Sequence, residues 1–150
     1  MEKGLKDVNL LTTTNFPAAA ASNQSAGLEI GGDEFFKGNE LFVDIPASVG
    51  LAENTDIDIH IEHSADNGAL DAFADVPQLA PVKITGIVGD ALPTSGTYGE
   101  NGYEVLDDGT VRVVFPVPRG LKAFVRVDVT VETGAGDFIT LSYEFGLLVY

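Results

Sequence analysis

Apolar residues at every second position dominate this chain, and this period of two constrains its fold more than any other feature. From 125 to 131, valines alternate with Arg126, Asp128 and Thr130. A strand turns successive side chains to opposite faces, so the pattern predicts a half-buried β-strand. Similar alternation occurs at residues 28–30, 41–45, 57–61, 111–115 and 139–149.

The whole pattern predicts an all-β protein. Apolar residues do not follow the 3.6-residue period of a helix over any helix-length window. About seven to nine short strands with almost no helix favour a two-sheet β-sandwich of the jelly-roll type. We interpret Asp107-Asp108-Gly109 and the glycine-rich segment 134–137 as hairpin turns, the latter joining the two longest strands.

The chain of 150 residues has the length of one domain. Residues 1–24 are rich in Thr, Asn and Ala and lack strand or helix signals at both ends of their alanine run. We therefore expect an extended N-terminal arm over 1–24 and a single sandwich domain over 25–150. We expect neither a secretion signal nor a membrane span, because no long apolar run is present.

Charge restricts the partners. The formal net charge is −15, and cysteine is absent. Binding to nucleic acid or to anionic lipid needs clustered Lys and Arg, so the composition argues against both. Without cysteine, the chain has neither disulfides nor a thiolate metal site.

The segment TDIDIHIEHSADNG, residues 55–68, places Asp58, His60 and Glu62 on one strand face, as a metal site would. Side chains two residues apart on a strand lie roughly 6.6 Å apart, so neighbours could share an ion but the whole row could not. A cupin-like metalloenzyme would add a later histidine, and none follows His63. We interpret the row as the solvated face of a sheet and keep the metalloenzyme as an alternative.

Other catalytic patterns are missing from the sequence. It contains no Gly-x-Ser-x-Gly nucleophile motif and no phosphate-binding glycine loop with lysine. We expect a protein that is not an enzyme and needs no cofactor.

The order of elements resembles the small jelly-roll decoration, or cement, proteins of tailed-bacteriophage capsids. In that family a strand runs into a short turn, an aromatic residue and a Val-Pro segment, as here at Ser64, Asp66, Asn67, Gly68, Phe73 and Val76-Pro77. A Pro-x-Gly turn then leads to an aromatic and a basic residue, as here at Pro118, Gly120, Phe124 and Arg126. The family often has a basic residue before that aromatic, where this chain has Ala123.

The resemblance implies a virion structural protein. Such proteins are homotrimers at local threefold positions on the outside of the shell, where they bridge and stabilise the major capsid protein. It implies a location on the capsid surface, and in the host cytoplasm during assembly. The partners would be the major capsid protein and further copies of this chain.

Apolar residues outside the alternating pattern are the candidate contacts. In the expected arm, Leu10, Leu11 and Phe16 are candidates for contact with the capsid. Candidates for a subunit interface are Phe35, Phe36, Val114, Leu148 and Tyr150. Coverage of the second group by the arm or by another sheet is the alternative. For function, the other alternative is a carbohydrate- or protein-binding module that uses the loops at 65–80 and 90–102.

Overall fold

The structure is a computed structural model that describes residues 4–31 and 38–150. These residues form eleven strands and one four-residue helix. The elements are β1 Leu5–Asn15, β2 Ala21–Gln24, β3 Leu28–Glu29, β4 Glu40–Ile45, β5 Asp56–Ser64, β6 Ala74–Asp75, β7 Val82–Thr85, α1 Tyr98–Asn101, β8 Tyr103–Val105, β9 Val111–Pro116, β10 Phe124–Val131 and β11 Ser142–Val149. Within the two described ranges, no helix has the length and apolar character needed to cross a membrane.

The strands form two antiparallel sheets. Sheet A has the order β1-β11-β4-β9-β8, and sheet B has the order β2-β10-β5-β6, with β3 also on β10 and β7 also on β5. Four strand pairs are nested along the chain, from β1–β11 outermost through β2–β10 and β4–β9 to β5–β7 innermost. They alternate between the two sheets, as in a long hairpin that is folded into two layers. This is the strand order of a jelly roll. The predicted all-β jelly-roll sandwich is confirmed.

The alternating apolar residues build the core between the two sheets. In β10, the four valines are at most 1% exposed, whereas the residues between them are half-buried. In β5, Ile57, Ile59 and Ile61 are buried in the same way. The inner faces of both sheets therefore interdigitate, as packed sheets about 10 Å apart do.

The expected N-terminal arm is wrong for the described residues 5–24. β1 pairs with β11 at Leu5–Val149 and Lys6–Leu148 and again from Leu11–Gly146 to Asn15–Ser142, and β2 pairs with β10. Phe16 is 2% exposed, and its ring packs edge-to-face against Phe138 and Tyr143 at 5.3 Å from each. Sequence alternation is weak in β1 because this edge strand has a register shift between Lys6 and Leu11.

Of the two expected hairpin turns, the one at 107–109 is confirmed and the one at 134–137 is wrong. The turn at 107–109 joins the paired strands β8 and β9, and the Leu106 amide donates to the Thr110 carbonyl. The segment 134–137 does not make a hairpin, because β10 lies in sheet B and β11 in sheet A. That connection instead closes the end of the sandwich, where Ala135 and Phe138 are buried.

Candidate interaction surfaces

The outer face of sheet B carries the row that could have been a metal site. Asp58 lies 3.6 Å from the Lys83 ammonium, and Glu62 accepts a 2.9 Å hydrogen bond from Arg126 Nε. His60 Nδ1 is 4.0 Å from a carboxylate oxygen of Asp75.

Each member of the row therefore faces a different partner. Among residues 4–31 and 38–150, no three His, Asp or Glu side chains are grouped so that they could hold a metal ion. The intervening isoleucines are buried and the polar residues half-buried, as expected for a solvated strand face. Arg126 also lies over the Phe73 ring at 4.2 Å, so two residues of the family resemblance touch each other.

The outer face of sheet A contains apolar side chains that do not belong to the main core. Phe42 is paired with Val114 on β9 and with Gly146 on β11, which places a short apolar row across three strands. Phe42 is 0% exposed and Leu148 is 2% exposed, although both point away from the other sheet.

Residues 4–10 cover this outer face. A Cβ atom added to Gly146 would lie 2.4 Å from the Leu10 carbonyl oxygen, and one added to Gly4 would lie 2.9 Å from Leu148 Cβ. Leu11 also reaches the Gly146 position. The candidate capsid contacts Leu10 and Leu11 are therefore half-buried against this chain's own sheet.

A cluster of ion pairs attaches residues 4–10, through Lys6, to the outer face of sheet A. Asp44 accepts two hydrogen bonds from Arg112, at 2.8 and 3.0 Å, and lies 2.8 Å from Lys6 Nζ. Lys6 also bonds to Glu144, and both cations lie over the Phe42 ring. Burial opposes the charge of Lys6, but its hydrogen bonds to Asp44 and Glu144 raise its pKa.

Among the candidate interface residues that the structure describes, Val114, Leu148 and Tyr150 share this outer face but differ in exposure. Leu148 is buried, so its expected exposure at an interface is wrong: residues 4–10 cover it. Val114 is half-buried, and Tyr150 is 56% exposed. Phe35 and Phe36 lie outside the described residues.

The exposed Tyr150 side chain is held by contacts with its own chain. Its hydroxyl donates to the Glu40 carboxylate, and its ring contacts the Gly4 position. Partial burial, together with the hydrogen bond to Glu40, raises the pKa of Tyr150 to about 12. The exposed Leu5 and Val8, which sequence reasoning missed, lie on β1 of the same sheet. Together, Leu5, Val8, Val114 and Tyr150 are called the sheet A patch.

The two ends of the sandwich differ in charge. One end, called the acidic end, consists of the connections 16–20, 46–55, 86–91, 106–110 and 132–141. These connections, all of which the structure describes, contain six acids and no Lys, Arg or His. The acids are Glu53, Asp90, Asp107, Asp108, Glu132 and Asp137.

Two segments at the other end, 65–73 and 117–123, are called the Leu70 end; the connection before β8, which carries Glu100, lies at the same end of the sandwich. The two acids of the Leu70 end, Asp66 and Asp71, are balanced by Arg119 and Lys122. Leu70 is 98% exposed there. At the acidic end, Val88 is 78% exposed and Ile139 is 45% exposed.

A polar groove lies between strand β7 and the loop that precedes β8. Its lining combines the Tyr103 ring with Thr94, Ser95, Glu100 and Asn101. A second groove crosses sheet A between Gly4–Leu5 and residues 104–108. The first is lined in part by the 90–102 loop, which the alternative of a carbohydrate- or protein-binding module would use.

Comparison with protein-family models gave no match, and no curated protein is significantly similar to the chain in sequence.

Proposed function

We propose that this chain is a capsid decoration protein, which binds the outside of a tailed-bacteriophage shell and stabilises it without catalysing a reaction. The observation that carries the proposal is the difference between an acidic end, the charge-balanced segments 65–73 and 117–123 with a protruding leucine, and sheet A with its exposed apolar residues. Each region suits one requirement of a protein that sits on a shell.

The sequence resemblance and the strand order support the same proposal. The resemblance implies a jelly roll, and the chain has the jelly-roll strand order. Phe73 and Arg126, which the family pattern pairs with two different turns, are in contact. That contact gives the loose sequence pattern a structural role, because it ties the segment after β5 to β10.

The acidic end suits an outward-facing surface. Six uncompensated carboxylates would be costly to bury against a partner, because each ion must lose its water. Facing solvent, they would keep decorated particles apart through mutual repulsion.

The sheet A patch is the proposed contact between copies. Leu5, Val8 and Tyr150 are 71%, 81% and 56% exposed, and exposed apolar side chains of this kind suit a subunit contact. A trimer that forms through this patch would bind the shell with three chains at once, and multivalency would increase its apparent affinity.

The test uses purified chain and empty shells of the major capsid protein that we expect to be encoded beside it. The chain should sediment alone as a trimer at micromolar concentration and should co-sediment with the shells until binding saturates. A strict monomer that stays in the supernatant at all shell concentrations would refute the proposal. Tyr150→Ala should shift the chain towards monomer, whereas Thr130→Ala on sheet B should not.

The second candidate function is carbohydrate binding in the groove beside β7. Hydroxyl, amide and carboxylate groups converge there beside the Tyr103 ring, which suits hydrogen bonding to a sugar. Binding of glycans on an array, lost in Asn101→Ala, would favour this function. Full co-sedimentation with shells by the Asn101→Ala variant would assign shell binding to another surface.

A further inference from the structure

The loop between β5 and β6 holds one leucine fully in solvent. Leu70 is 98% exposed, more than any other large apolar side chain among the described residues. An isolated exposed leucine is ordinary on a flexible loop. Here the loop has a dense hydrogen-bond network, so the backbone that carries Leu70 is ordered.

The Asp66 carboxylate organises the tip of the loop. It accepts hydrogen bonds from the amides of Ala69 at 3.1 Å, Leu70 at 2.8 Å and Asp71 at 3.1 Å. These bonds hold the pKa of Asp66 below its usual value, the largest contribution coming from the Leu70 amide. The backbone that carries Leu70 is therefore bonded to Asp66 on both sides of the leucine.

The base of the loop is tied to the sandwich. Ser64, 0% exposed, donates through Oγ to the Asp71 carbonyl at 2.6 Å and accepts from the Gly68 amide at 2.8 Å. Asp71 in turn accepts from the Ala65 amide at 2.8 Å and from Lys122 at 2.7 Å. The network joins the loop to the 117–123 segment.

We propose that Leu70 is the anchor that fits an apolar pocket on the major capsid protein, so that the Leu70 end faces the shell. Because the backbone under Leu70 is ordered before binding, docking would cost only the freedom of one side chain, which favours a strong single contact. This inference rests on the proposed function and adds the orientation of the molecule and the contact residue.

Charge favours the shell over a second copy as the partner of Leu70. Docking on the acidic end of another copy would desolvate its six carboxylates against a Leu70 end without net charge, which offers no excess of cations to compensate them. The groove across sheet A also carries more acids than bases, since Glu104, Asp107 and Asp108 line it with Arg112. The groove beside β7 combines Val82, Ile87 and Pro93 with the charged Lys83 and Glu100, so a second copy docked there is an outcome that the sedimentation test below decides.

The test compares Leu70→Ala with Val88→Ala in the binding of fluorescently labelled chain to empty shells. Val88 is a matched control because it is 78% exposed and lies at the acidic end. Leu70→Ala should raise the apparent dissociation constant by roughly 10- to 100-fold, as loss of an anchor does, and Val88→Ala should change it by less than about 2-fold. Thermal unfolding should be the same for both variants, because neither side chain is buried.

A second pair of variants tests the role of loop order. Asp66→Ala removes the three amide contacts and leaves Leu70 in place, so it should also weaken binding. Asp108→Ala removes one turn hydrogen bond at the acidic end and should not.

Three results would overturn the inference. If Val88→Ala weakened binding to shells and Leu70→Ala did not, the acidic end would face the shell. The decoration function would then stand, and the proposed orientation would be wrong. A changed sedimentation coefficient for Leu70→Ala without shells would make a second copy its partner. Failure of the unmodified chain to bind shells would remove the proposed function, and this inference with it.

Discussion

The outer faces of the two sheets are built from similar strands but differ in what covers them. On sheet B, Glu62 and Arg126 pair at the surface and remain half-buried beside water. On sheet A, Phe42 and Leu148 are buried because the Lys6 and Arg112 side chains lie over the Phe42 ring and Gly4 packs against Leu148. The comparison shows that burial of a strand residue depends on a second layer as well as on its own alternation.

The largest expected effect tests whether the covered face acts as a core. Phe42→Ala should lower the free energy of unfolding by about 3–5 kcal/mol, because it opens a cavity under residues 4–10 and removes the ring beneath two cations. Thr130→Ala, on the outer face of sheet B, should cost less than about 0.5 kcal/mol. Urea unfolding of both variants measures the difference. Equal small losses would mean that the cover adds little stability.

A smaller effect on stability tests how closely residues 4–10 pack against β11. Gly146→Ala adds a Cβ atom that would meet the Leu10 carbonyl oxygen at 2.4 Å, so residues 4–10 must shift. We expect a loss of about 1–3 kcal/mol and faster protease cleavage near the N-terminus. Gly99→Ala is the control, since a Cβ atom there has no neighbour within 4 Å. Unchanged cleavage in Gly146→Ala would contradict the close packing of Leu10 on β11.

The smallest effect concerns pH at the base of the Leu70 loop. His63 Nδ1 accepts a 3.2 Å hydrogen bond from the Lys122 amide. Burial lowers the pKa of His63, the Lys122 charge lowers it further, and the Asp71 carboxylate opposes both. A lowered folded-state pKa means that the unfolded chain binds the proton more tightly, so this stability is present above about pH 6.5 and declines as the pH falls.

His63→Asn tests this sign. Asparagine keeps a hydrogen-bond acceptor but does not titrate, so the loss of unfolding free energy between pH 7.5 and 5.5 should be smaller than in the unmodified chain. The difference should be no more than about 1.4 kcal/mol, the cost of keeping a histidine of ordinary pKa neutral one unit below that pKa. A larger loss in His63→Asn would contradict the direction of the pKa shift.

Much of the sandwich could be predicted from the sequence because its inward residues alternate. Val125 to Val131 and Ile57 to Ile61 each identify a strand and its buried face. The pairing of those strands could not be read in this way. Alternation does not say which strand lies beside which, so the 134–137 connection was wrongly expected to be a hairpin.

The surfaces were less predictable, for a physical reason in each case. β1 reads LKDVNLLTTTN, in which the register shift breaks the period of two, so the strand was expected to be an arm. Phe16 follows it and looked exposed, yet it fills the core beside Phe138. Leu70 had a signal that was passed over: it is a lone large apolar residue directly after the Asp66-Asn67-Gly68 turn.

The most direct measurement of the central claim is a cryo-EM reconstruction of empty shells mixed with the purified chain. We expect added density at the local threefold positions, with three jelly rolls in contact through the sheet A patch, the Leu70 end on the shell and the acidic end outward. Shells without added density at saturating chain, or with the acidic end against the shell, would contradict it.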